Sequence, residues 1–93
     1  MIRHIVFFAA APENRDLVLS GLQILEGIPD AQRVEVRANA KWDEWSQDID
    51  IVVYAEFESR SQLDAFKSHP LYAESITRVR PNRTLRYVAD IEV

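Results

Sequence analysis

Two segments of the chain, "IRHIVFFAA" at residues 2–10 and "IDIVVYAEF" at residues 49–57, are apolar on both alternating sets of positions. Successive side chains of a strand point to opposite faces. Ile5 and Phe7 therefore stand opposite to Val6 and Phe8, and Ile51 and Val53 opposite to Val52. Such strands need cover on both faces, which places them in the middle of a sheet that is packed against twice.

The rest of the chain supplies the other layers. Residues 2–9 read as the first strand. Pro12 suits the first turn of a helix, with Glu13 and Asp16 near its positive end. Val18, Leu22 and Leu25 recur at helical spacing until Gly27 and Pro29 stop the pattern. From Arg33 the period becomes two, with Val34, Val36 and Ala38 alternating with Arg33, Glu35 and Arg37. The third strand, 49–57, leads to Ser59, which with Gln62 has the spacing of a capping box. Leu63 and Phe66 mark the buried side of the helix that follows. Tyr72, Ile76 and Val79 continue on a second segment, and "TLRYVADIEV" is the last strand.

The order β-α-β-β-α-β in 93 residues predicts one α+β domain over 1–93. It is the ferredoxin-like arrangement, a four-stranded antiparallel sheet with two helices on one face. The first and third strands would be central, and the alternating second and fourth would be edges. Two helices cover only one face. The other would expose several hundred Å2 of apolar surface, more than a soluble monomer usually shows. A second copy packed sheet to sheet would bury it, in an interface of about 2,000 Å2 or more. The expected partner is therefore the chain itself, as a homodimer.

Composition excludes several function classes. A net charge of −4 argues against neutralising the phosphates of nucleic acid. The absence of cysteine rules out disulfides and thiolate chemistry, and fits a reducing cytoplasm. No apolar stretch approaches the ~20 residues of a membrane helix. "MIRHIVFFAAAP" has the basic start and alanines of a short secretory leader, but its β-branched and aromatic content favours a strand. No glycine-rich phosphate loop, HExxH, EF-hand or Gly-x-Ser-x-Gly pattern occurs, so no cofactor or metal is expected.

"IRHIVFF", "VEVRAN", "VVYAEFES" and "LDAFKSHPLY", in that order, make the chain resemble the stress-responsive A/B-barrel proteins of the dimeric α/β-barrel superfamily. The resemblance implies the ferredoxin-like fold and a dimer whose two sheets form a central barrel. It also implies a pocket between each sheet and its helices. Relatives that are enzymes include a plant polyketide cyclase and, more distantly, cofactor-free monooxygenases.

His4 matches a histidine that points into the pocket of the cyclase-like relatives. Near neutral pH it would serve as a base or donor; otherwise it is a buried histidine donating to a backbone carbonyl. Pro70 cannot sit inside a helix, so His69-Pro70 should end one segment and begin another, with His69 capping the joint. At Tyr72 the cyclase pattern has a catalytic histidine, and at Phe66 a tyrosine. A phenol of pKa ~10 is a poor base, yet it donates to a carbonyl. His4 and Tyr72 are thus the catalytic candidates, and His4, Phe66, His69 and Tyr72 the expected ligand-binding set.

Three further features stand out. Arg3 and Glu56 would face each other across the central strands as an ion pair on the open side of the sheet. Arg78, Arg80, Arg83 and Arg86 read as a solvated basic face in preference to an anion site. Trp42 and Trp45, in the connection after the second strand, could form a lid or a dimer contact. Three functions fit: a binder or cofactor-independent cyclase-like enzyme for a small apolar or aromatic carbonyl compound, a non-catalytic dimeric module, and a cofactor-free monooxygenase.

Overall fold

A computed structural model covers residues 1–93. The strands are β1 (Ile2–Ala10), β2 (Arg33–Ala38), β3 (Ile51–Phe57) and β4 (Arg83–Glu92). The α-helices are α1 (Arg15–Gln23), α2 (Arg60–Ser68) and α3 (Pro70–Val79). The sheet order is β2-β3-β1-β4, with every neighbouring pair antiparallel. The two doubly apolar strands are central, as their patterning demands, and the fold is α+β and ferredoxin-like.

The second helical stretch is two helices. His69 adopts an extended backbone before Pro70. Its Nδ1 accepts the Leu71 N–H at 3.1 Å, capping α3. Ser59 caps α2 by accepting the Gln62 N–H at 3.3 Å, which is half of the expected box. On α1, Gly21 lets α3 come close. A Cβ there would lie 2.9 Å from Val79 Cγ2, and the Ser75 hydroxyl donates to the Gly21 carbonyl at 2.9 Å inside the contact.

The helices cover one face of the sheet. Val6, Phe8, Val53 and Phe57 of the central strands are buried there against Val18, Leu22 and Phe66. Where β3 begins, Asp50 is buried and ties three segments together. It accepts from the Ala10 N–H at 3.0 Å and from Lys41 Nζ at 2.7 Å, and it pairs with Arg15 Nε at 3.3 Å. Burial alone would raise the Asp50 carboxyl. The hydrogen bonds from Lys41 and Ala10, with the charges of Lys41 and Arg15, outweigh it and hold the group below its ordinary value.

The edge strands turn their apolar rows to opposite faces. In β2, Val34 and Val36 pair with Ala55 and Val53, on the helix side. In β4, Leu85, Tyr87, Ala89 and Ile91 pair with Ala9, Phe7, Ile5 and Arg3, on the open side. Phe7, Tyr87 and Ile91 are exposed there. Arg3 does stand opposite Glu56, but the expected ion pair is absent. The Glu56 carboxylate instead accepts from the Tyr54 hydroxyl at 2.6 Å, a neighbour two residues away on the same face.

Candidate functional site

A cavity of about 240 Å3 lies between the helix-covered face of the sheet and the helices. Its floor is Val6 and Phe8 of β1 and Val53 of β3. Leu22, Phe66 and Ile76 wall it on the helix side. His4, Tyr72 and Ser75 supply polar atoms, and Arg80, Arg83 and Arg86 complete the lining.

His4 is only 2 % exposed. Its Nδ1 lies 2.6 Å from Asp90 Oδ1 on β4, the residue directly across the ladder. A carboxylate accepts, so Nδ1 carries the proton and the neutral ring keeps its lone pair on Nε2. No fully buried side-chain nitrogen or oxygen lacks a partner. Nε2, unbonded within the chain, is therefore an atom the cavity leaves open. Burial lowers the pKa of His4. The Asp90 hydrogen bond and charge oppose that, while the charges of Lys67 and Arg86 add to it, and the outcome lies below 6.5. The ring is accordingly neutral at pH 7 and able to accept a proton.

A run of edge-to-face contacts holds this histidine in register with the helices. The His4 ring meets Phe57 at 6.3 Å, Phe57 meets Phe66 at 5.1 Å, and Phe66 meets Tyr72 at 5.7 Å. Three of the four residues expected to contact a ligand, His4, Phe66 and Tyr72, thus line one cavity. His69 does not line it; its ring nitrogen is engaged in capping α3.

The basic quartet divides. Arg78 pairs with Glu74 at 2.9 Å on the exposed side of α3, as a solvated face requires. Arg80, Arg83 and Arg86 also line the cavity, Arg80 exposed and Arg83 and Arg86 half-buried, so for these three the rim of a site is added to the solvated face. Trp42 and Trp45 are 94 % and 89 % exposed and do not line the cavity. Asp90 escaped the sequence reading. The signal available was its place on the polar row of the last strand, combined with a β1-β4 register that puts it opposite His4.

Scored against known sequence families, residues 2–93 match the Stress responsive A/B Barrel Domain. The chain belongs to that family. Solved structures that it resembles share the ferredoxin-like fold. A dimeric protein of unknown function and ferredoxin-like fold from Bacteroides fragilis superposes with a TM-score of 0.81 at 19% identity, over 99% of this chain and 95% of that one. A family member with a ferredoxin-like fold from Mesorhizobium loti gives 0.77 at 18% identity, over 99% and 95%. A protein described as an antibiotic biosynthesis monooxygenase gives 0.81 at 17% identity, over 100% and 98%. No curated protein sequence matches the chain. At these identities the likeness shows the ferredoxin-like fold and leaves the chemistry to the site itself. No helix is long and apolar enough to cross a membrane.

Proposed function

We propose that this A/B-barrel protein is a cofactor-independent enzyme that binds a compact apolar or aromatic carbonyl compound between sheet and helices, with His4 as the base. The observation that carries the reading is the His4–Asp90 pair. A buried histidine, fixed in one tautomer by a carboxylate, presents Nε2 to a cavity whose floor is apolar. A volume of about 240 Å3 fits a compact ligand. It exceeds the roughly 150 Å3 that accommodates benzene and falls just short of the ~300 Å3 at which drug-sized pockets begin.

In the proposed chemistry, Nε2 takes a proton from a carbon next to a carbonyl, and the Tyr72 hydroxyl donates to the carbonyl oxygen as charge develops there. The carbanion closes onto a second carbonyl of the same molecule, and the proton returns to the new alkoxide. No electrons leave the substrate, so no redox partner is required. The test is deuterium exchange at the central carbon of 1-phenylbutane-1,3-dione, followed by NMR. The protein should accelerate exchange, and His4→Ala should lower that acceleration by about 10²–10⁴-fold. Undiminished exchange by His4→Ala would reject His4 as the base.

A second reading draws on the monooxygenase neighbour. The same Nε2 would deprotonate an electron-rich phenol, whose anion would then react with oxygen. Oxygen consumption with a hydroquinone, lost in His4→Ala, separates it from cyclase-type chemistry. We further propose that the working unit is a homodimer joined through the open face. Support comes from the exposed row of Phe7, Tyr87 and Ile91 and from the dimeric state of the B. fragilis relative.

A further inference from the structure

Three arginines line the cavity from the end of α3 and from β4. Arg80 follows the last turn of α3, Arg83 begins β4 and Arg86 lies further along it. Elsewhere in the chain Arg15, Arg33, Arg37, Lys41 and Arg78 each pair with a carboxylate, while Arg3, Arg60 and Lys67, none of which lines this cavity, do not. Arg80, Arg83 and Arg86 pair with none, and no aspartate or glutamate lines the cavity. A chain of net charge −4 with acidic groups to spare has thus left three guanidiniums uncompensated around one apolar hollow.

The bland explanation is that a cation suits the carbonyl end of α3. That end is equivalent to only about half a negative charge, too little for three arginines. Solvation is also incomplete, because Arg83 and Arg86 are half-buried. Their field reaches into the cavity, where the charge of Arg86 opposes protonation of His4. A carboxylate would satisfy the group, since guanidinium forks bind it through paired, charge-assisted hydrogen bonds.

We propose that the cavity selects small organic acids, seating the apolar body against Val53 and Phe66 and the carboxylate among Arg80, Arg83 and Arg86. The assignment rests on the ligand-binding reading above and narrows it to anions. It also gives the ligand a direction. A head held by the arginines leaves the opposite, apolar end to the hydrophobic wall, so uncharged and cationic ring compounds of equal size are discriminated against.

The test compares 1-naphthoate with 1-naphthamide, two probes of nearly the same shape that differ in charge. Affinities are read from NMR titrations that follow His4 and Ile76. The unaltered protein should bind the acid at least tenfold tighter than the amide, with the difference shrinking as salt rises toward 0.5 M. Arg80→Gln/Arg83→Gln/Arg86→Gln should erase the preference while retaining amide binding. Equal affinities for the two probes in the unaltered protein would overturn the anion assignment and leave the cavity reading standing. If neither probe moves His4 or Ile76 at millimolar concentration, both readings fall. The comparison in the unaltered protein decides the matter even where the triple variant does not fold.

Discussion

The two edge strands β2 and β4 share a sequence grammar and do opposite work. Both alternate apolar with polar residues. In β2 the apolar row, centred on Val36, faces the helices and completes the interior of the subunit. In β4 the apolar row of Leu85, Tyr87, Ala89 and Ile91 faces away from them. The polar row of β4 is thereby turned toward the helices, and it brings Arg86 to the cavity and Asp90 to His4. A single choice of parity at one edge thus gives that strand two faces, one carrying polar side chains to the candidate site and the other an exposed apolar row, the proposed assembly surface. The core of the subunit is left to β1, β2 and β3.

The comparison breaks most readily at Val36, which is 1 % exposed. Val36→Asp would bury a charge with no partner and should cost about 3–5 kcal/mol in urea denaturation, enough to unfold much of the protein. A loss under 1 kcal/mol would mean that β2 does not close the core. On β4 the matching change is Tyr87→Arg, at a side chain 64 % exposed. The subunit should stay folded by circular dichroism, while dimer dissociation, read by light scattering on dilution, becomes roughly 100-fold easier, about 2.8 kcal/mol. A dimer unaffected by that arginine would place the assembly surface elsewhere.

Asp90→Asn probes the other row of β4. His4 should titrate below 6.5 in the unaltered protein. Removing the hydrogen bond and charge that favour its protonated form should move the titration lower still, visible in its ¹⁵N ring shifts. The lowered value also carries a stability consequence. The unfolded chain takes up this proton near 6.5 and the folded chain only at lower pH. The contribution of neutral His4 is therefore complete above pH 6.5 and declines as pH falls from there toward the folded midpoint. Asp90→Asn should widen that declining range downward; a titration that stays in place would show that Asp90 does not govern the ring. The smallest effect belongs to His69→Ala, which removes the cap on α3. It should cost about 0.5–2 kcal/mol in thermal unfolding and leave the β4 functions intact.

The fold was legible because its determinants are periodic and local. Doubly apolar strands announce their central position, and Pro70 announces a helix break at one residue. Half of the site was legible as well. His4, Phe66 and Tyr72 lie on faces that periodicity and the family resemblance both select. What escaped depends on register between distant segments. Asp90 is 86 positions from His4, and nothing near either residue shows that β4 places them side by side. The placement of the arginines was hidden for a related reason. Spacing along a helix end, a turn and a strand edge does not reveal that Arg80, Arg83 and Arg86 converge while Arg78 points to Glu74. The Arg3–Glu56 pair failed differently. The register was right, but no Arg3–Glu56 ion pair forms, and the Glu56 carboxylate accepts from Tyr54 on its own strand.

The joint at His69-Pro70 has a geometric consequence for the aromatic run. Along an unbroken helix, Phe66 and Tyr72 are six steps of about 100° apart and would diverge by about 120° around the axis. Tyr72 would then swing away from the ring it now meets at 5.7 Å. Restarting the spiral at Pro70 resets its phase, so that two side chains from consecutive turns of chain converge on one hollow. One residue added to or removed from the joint would rotate the phenol by about a quarter-turn while Phe66 stayed planted, which makes the hinge a dial for the shape of the binding space.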